Sequence, residues 1–292
     1  MNPVEVQLFY IDDDQPVIVQ TQNVDKTAML QCCVSAIRRK NPSAEISLVT
    51  NSRTKIHVGV EGIKVIETDT INHSTLIYDL NVFRRNYISE KKHLNKRVLF
   101  TDIDVLINCD LSRLFEGDFD IKTAIWTSCP YVMTDRGLPT TQPYMFQFTG
   151  GGFFVNCNDR SLSFFDRYLE LWEELYESDD FTSYGQYGPG IKQNFFKWWG
   201  ELHTFCVMVG NEVLSGKEKK KVISSCEFHF LDESDYNYAP DCGKLSQLDD
   251  ITLKGIEIRD LAAHLKYKKI IHFRGTRKGY MTAVFSQLNA LV

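Results

Sequence analysis

The chain has 292 residues, 43% of them hydrophobic and 24% charged, the length of one large α/β domain and the balance of an ordinary globular protein. Its formal net charge of −5 argues against a general nucleic-acid binder, which would carry a basic face, yet leaves room for a local basic cluster that takes a small anion. No apolar run approaches the ~20 residues of a membrane-crossing helix, Met1-Asn2-Pro3-Val4-Glu5-Val6 lacks the features of a signal peptide, and eight cysteines without a Cys-x-x-Cys pair read as buried thiols in a reducing, cytoplasmic setting.

Residues 4–11 alternate toward a first strand, which ends in the acidic turn Asp12-Asp13-Asp14. Residues 25–40 carry Met29, Leu30, Cys33 and Ile37 at helical spacing, and Asn41-Pro42 stops that helix. Glu45–Thr50 predicts a second strand, Lys64–Glu67 a short third, and residues 77–90 a second helix. The apolar run Arg97-Val98-Leu99-Phe100-Thr101 then leads into Asp102-Ile103-Asp104. In a continuing strand, residues two apart share a face, so the carboxylates of Asp102 and Asp104 would converge. Two hard oxygen ligands so placed can hold Mg²⁺ or Mn²⁺ against a phosphate. The carboxyl ends of strands are also where open α/β sheets bind ligands.

Residues 110–115 predict a short helix, residues 123–127 a strand, and residues 131–143 a loop that would line an acceptor cleft. Residues 153–156 form a strand entered through Gly150-Gly151-Gly152, residues 161–176 a long helix, and residues 178–190 a second loop. Phe195-Phe196-Lys197-Trp198-Trp199 is an aromatic cluster at near-helical spacing. Core packing is its default reading, with an acceptor-stacking platform or a peripheral membrane patch as rivals. Residues 217–221 are a charge run expected as a solvated turn, and residues 222–231 read as one strand. The alternation of strands and helices predicts a mixed, mostly parallel sheet flanked by helices in a single domain over residues 1–292. No repeat or linker divides it.

Near the C-terminus the apolar strand Lys269-Ile270-Ile271 precedes His272-Phe273-Arg274-Gly275-Thr276-Arg277-Lys278. His272 can give a neutral imidazole to a metal, Gly275 lets backbone approach a phosphate closely, and Lys278 supplies a point charge. Arg274 and Arg277 add donors, so the stretch could neutralise a diphosphate; a surface hairpin is the plain alternative. His203-x-x-Cys206 and Cys226-x-x-His229 can be written as a zinc site. The second pair lies in an expected strand, where residues three apart point to opposite faces, so packing is the preferred reading. The run Val98-Leu99-Phe100-Thr101-Asp102-Ile103-Asp104 also resembles, locally, the aspartyl phosphatase motif of the haloacid-dehalogenase type, with Asp102 as nucleophile. That motif normally opens its domain, whereas about a hundred residues precede this one.

His-x-x-Gly-x-x-Lys together with an upstream Asp-x-Asp resembles the nucleotide-sugar glycosyltransferases of the GT-A (Rossmann-like) fold, closest to the family-8, glycogenin- and galactosyltransferase-like group. Arg85, seventeen residues before Asp102, stands where that family carries a donor-binding arginine. Asn108-Cys109-Asp110-Leu111 with Leu114-Phe115, residues 148–156, and Asp235-Tyr236-Asn237-Tyr238 are also similar to family segments. The resemblance spans roughly residues 4–280. It implies metal-dependent transfer of a sugar from a UDP-sugar to a glycan or other hydroxyl acceptor. Asp102, Asp104 and His272 would hold Mn²⁺ or Mg²⁺, with Arg85, Gly275 and Lys278 on the diphosphate. Tyr10 and Asp12 would meet the nucleoside. Residues 1–115 would form the nucleotide-sugar half and residues 116–292 the acceptor half. The chain departs from the family at Thr149, where an Asn is usual, and at Gly188–Asn194, where an Asp-Gln pair is expected. Asp180 or Gln193 would have to stand in for that catalytic pair. A non-catalytic nucleotide-sugar-binding protein remains a further alternative.

Overall fold

The computed structural model describes residues 3–11, 24–54, 60–125, 148–178, 190–209, 220–240 and 256–291. Four parallel strands, β1 (Glu5–Phe9), β2 (Glu45–Thr50), β3 (Lys64–Glu67) and β4 (Arg97–Asp102), form one side of an eight-stranded sheet. The sheet continues through β6 (Ile121–Ile125), β7 (Phe148–Asn156), β8 (Lys220–Ile223) and β9 (Cys226–Asp232), in the order β3-β2-β1-β4-β7-β6-β9-β8. β7 runs antiparallel to both β4 and β6, β9 parallel to β6, and β8 antiparallel to β9. A second, two-stranded sheet pairs β5 (Val105–Ile107) with β10 (Ile270–His272) in antiparallel register.

Alternation along the strands sends odd and even side chains to opposite faces, giving two cores. Phe9, Val49, Val98, Phe100, Phe153 and Val155 pack beneath α2 (Leu76–Lys91), α4 (Asp159–Ser178) and α5 (Ile191–Val209). Val6, Leu8, Ile46, Leu48, Leu99 and Phe154 pack beneath α1 (Lys26–Lys40), α7 (Ile256–Leu265), α8 (Met281–Ala290) and the small sheet. Asp25 caps α1 by accepting from Ala28 N, and Arg38, Arg39 and Lys40 sit in its last turn, each favourable to the helix dipole. Short helices α3 (Leu111–Leu114) and α6 (Glu233–Tyr236) begin at Asp110 and Asp232, whose side chains accept from the second helical N–H. The fold is the single-domain, mixed α/β architecture expected.

Several boundaries shift. Residues 222–231 are two strands, not one: Ser224 and Ser225 both take positive φ, and the chain turns back so that Ile223 pairs with Cys226. Part of the charge run belongs to this hairpin, since Lys220 and Lys221 lie in β8. The strand expected at residues 123–127 starts at Ile121, and the strand expected from Phe153 already begins at Phe148. Phe195 and Phe196 are buried in the core. The side chains of Trp198 and Trp199 and the loop over residues 131–143 lie outside the described residues. Among the described residues no helix is long and apolar enough to cross a membrane.

Candidate active site

The carboxylates meet, but by a different route from a continuous strand. β4 ends at Asp102, the chain turns at Ile103-Asp104, and Val105 starts β5 in the second sheet. Ile103 anchors the turn in the core at 3% exposure. Because β5 pairs with β10 in a register that sets Val105 opposite His272, and Phe273 N donates to Asp104 O at 2.8 Å, the turn presses Asp104 against His272. One ligand atom from each of Asp102, Asp104 and His272 lies within 4.8 Å of the others.

Asp104 is the buried member of the pair. Lys278 Nζ sits 2.9 Å from its Oδ2, and His272 Nε2 sits 3.3 Å from its Oδ1. The imidazole contact is not aligned as a hydrogen bond, so Oδ1 is left without a partner. Burial opposes the charge on Asp104, but Lys278 and His272 outweigh it and hold its carboxyl well below the usual range. Asp102, which keeps part of its surface open, is pushed the other way by burial and then by the charge of Asp104. Burial also pushes His272 down, against the pull of Asp104, while Asp104 raises Lys278 despite the cost of desolvation. An orphaned carboxylate oxygen beside a second carboxylate and a neutral imidazole fits a divalent cation such as Mn²⁺ or Mg²⁺.

Three further residues build this site, and two of them drew no notice in the sequence as individuals. Asn237, 1% exposed, places Oδ1 3.0 Å from His272 Nδ1. Arg274 Nε also reaches that nitrogen, at 3.2 Å. Asn237 Oδ1 accepts from the tautomer protonated on Nδ1, whose Nε2 lone pair then faces the carboxylates in the form that ligates a metal, whereas Arg274 Nε donates to Nδ1 in the other tautomer. Gly151 makes the room: a Cβ there would stand 2.0 Å from Asn237 Oδ1. The strand holding Gly151 is tied to β4 by Thr101 Oγ1, which donates to Gly151 O at 2.9 Å.

The arginine that Asp102 feels is Arg84, not the expected Arg85. Arg84 is buried between the rings of Phe9 and Phe153 and pairs with Glu201 of α5. Arg85, one residue on, turns to α4 and pairs with Asp166 at 2.7 Å, both side chains more than a third exposed. Helical geometry separates neighbours by about 100°, so a seventeen-residue spacing could not decide between them. Tyr10 lies just past β1, its N–H donating to Val49 O at 3.1 Å and its ring 5.6 Å from the Lys26 ammonium. Gly275 and Lys278 both lie in the 3₁₀ turn Gly275–Tyr280 that leads into α8. Asp12 and Asp180 lie outside the described residues.

Gln193 stands exposed in the first turn of α5, lining a cavity of about 510 Å³ rather than the Asp102–Asp104–His272 group. The residues of the alternative zinc reading do not converge. His203 packs on Phe195 and Phe196, Cys226 is buried in the core, and His229 pairs with Glu227.

No protein-family model matches the sequence, and no curated protein matches it. Similar solved structures do exist. Mouse xyloside xylosyltransferase 1 in its apo form is similar over 93% of this chain and 98% of its own, with a TM-score of 0.50 at 15% identity. The galactosyltransferase LgtC, solved with donor and acceptor sugar analogues, is similar over 99% and 96%, with a TM-score of 0.49 at 10% identity. A glycosyltransferase involved in glycosylation of the major capsid of PBCV-1 covers 97% and 99%, at a TM-score of 0.44 and 10% identity. The chain thus has the mixed, mostly parallel α/β fold of the GT-A glycosyltransferases.

Proposed function

We propose that this protein is a metal-dependent glycosyltransferase of the family-8 type, moving a hexosyl or pentosyl unit from a nucleoside-diphosphate sugar, with UDP as the nucleotide, to a glycan or other hydroxyl acceptor. The observation that carries the reading is the convergence of Asp102, Asp104 and His272 within 4.8 Å, with Asp104 Oδ1 buried and unpartnered. A bound Mn²⁺ or Mg²⁺ would neutralise charge on the departing diphosphate.

The chain's own groups do the rest. Asp102 at the end of β4, Asp104 in the turn that follows it and His272 of β10 would hold the cation, His272 through Nε2 in the tautomer whose Nδ1 proton goes to Asn237. Lys278 today balances Asp104. Beside a site holding a divalent cation, the same ammonium would stand as a preorganised donor to the oxygens of the leaving diphosphate. Tyr10, at the end of β1, faces the base in this reading, and the backbone at Gly275 approaches the phosphates. Residues 1–115 then supply the nucleotide half and residues 116–292 the acceptor half. Asp180 remains the candidate for the reaction centre, whereas Gln193 stands in the cavity between α2, α4 and α5 instead. The cysteine usage supports a cytoplasmic location. An aspartyl phosphatase would use Asp102 but gives no task to His272 and Lys278, both of which bear on Asp104.

Thermal-shift measurement with a panel of nucleotide sugars, with and without Mn²⁺, tests the reading, since a specific ligand raises the apparent melting temperature. A UDP-sugar should stabilise the protein only with Mn²⁺ present, and His272→Ala should abolish that stabilisation. Stabilisation that persists unchanged in EDTA would sink the metal assignment. Release of inorganic phosphate from sugar phosphates, with no nucleotide-sugar response, would favour the phosphatase.

A further inference from the structure

We infer that the 510 Å³ cavity between α2, α4 and α5 is a binding site for a neutral oligosaccharide, and that it seats the acceptor's distal sugars. The acceptor role rests on the transferase reading above; the saccharide site itself does not.

The cavity has a rigid aromatic floor and a carboxylate rim. Trp172 and Phe196 are 4% and 3% exposed and meet edge to face at 5.7 Å. Gly200 of α5 lies so close to Trp172 that a Cβ would sit 2.3 Å from the indole, so the ring is fixed against the helix. Tyr176, 37% exposed, packs on Phe196 at 5.1 Å and closes one side. Tyr78 OH donates to Glu173 Oε1 on the other, and Glu177 is exposed at the edge. Apolar ring faces beside fixed hydrogen-bond acceptors suit a ligand that alternates C–H faces with hydroxyls, as a sugar does. Glu173 and Glu177 are offset by Lys197 in the lining and by Lys192, whose Nζ lies 5.0 Å from the Tyr176 ring. The site therefore has little net charge for an ionic ligand, and an acyl chain would leave these charges desolvated. The volume falls in the small-molecule range of a few hundred Å³.

Position agrees with chemistry. Asp102 is two residues after Phe100 and so faces the α2, α4 and α5 side of the sheet. α2 runs back against β4, so its first turns overhang the strand's carboxyl end. Tyr78 is six residues before Arg84 on α2, about 9 Å along the axis at 1.5 Å per residue, and Arg84 is the arginine whose charge Asp102 feels. A short chain of sugars whose reacting end lies at Asp102 would therefore run along α2 toward this cavity.

The test titrates the whole protein with maltotriose, cellotriose, chitotriose and xylotriose, each up to about 10 mM, without nucleotide or metal, reading heat and tryptophan fluorescence. At least one trisaccharide should bind and change the fluorescence of the wild type. Tyr176→Ala and Glu177→Gln, both at exposed positions and checked for an unchanged melting temperature, should each weaken that binding at least about tenfold. Asp104→Asn should bind the trisaccharide as the wild type does. No binding by any trisaccharide, binding unaltered in both cavity variants, or binding of laurate in their place would overturn the proposal. If trisaccharide binding follows the cavity variants while the wild type ignores UDP with Mn²⁺, the saccharide site stands and the transferase reading falls.

Discussion

Asp104 and Asp120 are both nearly inaccessible carboxylates, at 3% and 0% exposure, yet their surroundings differ in kind. Asp120, at the start of β6, has both oxygens engaged. Oδ1 accepts from Asn158 Nδ2 at 2.8 Å and Arg160 Nε at 3.1 Å, and Oδ2 accepts from Glu227 N at 2.8 Å. It ties α4 to the β6–β9 pair. Asp104 has one oxygen on Lys278 and the other without a hydrogen bond, beside a second carboxylate. Burying a charge is costly unless its lone pairs are met. A fully met carboxylate serves the fold, whereas Asp104, held charged by Lys278, pushes its neighbour Asp102 toward protonation. It is in that crowded pair that the fold has given up stability for a ligand.

The sharpest way to break that distinction is to neutralise each in turn. Loss of an outer partner of a metal ligand typically costs 10–100-fold, so Asp104→Asn should lower Mn²⁺-dependent UDP affinity and sugar transfer by at least about a hundredfold. Asp120→Asn would point an amide at N–H donors, costing about 2–3 kcal/mol of stability by urea unfolding, with Mn²⁺ affinity of the folded protein unchanged. A folded Asp120→Asn that has lost metal binding, or an Asp104→Asn that keeps it, would erase the distinction.

A smaller effect sharpens the site's basic side. Lys278→Ala removes a charge-assisted contact worth on the order of 1.5–3 kcal/mol, so UDP affinity at saturating Mn²⁺ should fall at least tenfold by calorimetry. Arg85→Ala breaks only an exposed pair with Asp166 and should change UDP affinity less than about twofold, with at most ~1 kcal/mol of stability lost. The reverse ranking would restore Arg85 to the donor site.

Much of this was legible in the sequence where period and cap chemistry act locally. Glu45–Thr50 and Lys64–Glu67 fall at the expected residues, because alternating apolar runs between turn residues leave few registers. The convergence of Asp102 with Asp104 was legible as a pair but not as a turn between two sheets, since that turn is set by the long-range pairing of Val105 with His272. The Ser224-Ser225 reversal hid because serine carries no strong preference for positive φ, unlike glycine or asparagine. Arg84 and Arg85 differ only by which helix face meets the strand. Asn237 was visible within Asp235-Tyr236-Asn237-Tyr238, but its task depends on Gly151, 86 positions earlier, leaving space for it. Cross-chain packing of that kind has no local signal.

The smallest effect is the most diagnostic, because it concerns Asp102 without any ligand. Burial and Asp104 raise its carboxyl from about 3.9 in an unfolded chain to about 7 in the folded protein. A raised acid is held protonated by folding, so it favours the folded state fully at low pH. That contribution is lost progressively as the pH rises from about 4 to about 7, where the unfolded chain has released its proton and the folded one has not. Asparagine imitates the protonated form. Asp102→Asn in metal-free buffer should therefore match the wild type near pH 4 and melt a few degrees higher at pH 7.5, the gap opening across that window and then levelling. Asp104→Asn should do the opposite at neutral pH, since its carboxyl is held down by Lys278 and His272 and its loss strands the Lys278 ammonium. Mn²⁺ should stabilise the wild type and reverse its ranking against Asp102→Asn. Differential scanning calorimetry of the three proteins from pH 4 to 8, with EDTA and with Mn²⁺, decides it. A metal-free Asp102→Asn that melts below the wild type at pH 7.5 would mean that the two carboxylates do not repel, and that Asp102 faces solvent rather than a shared cation site.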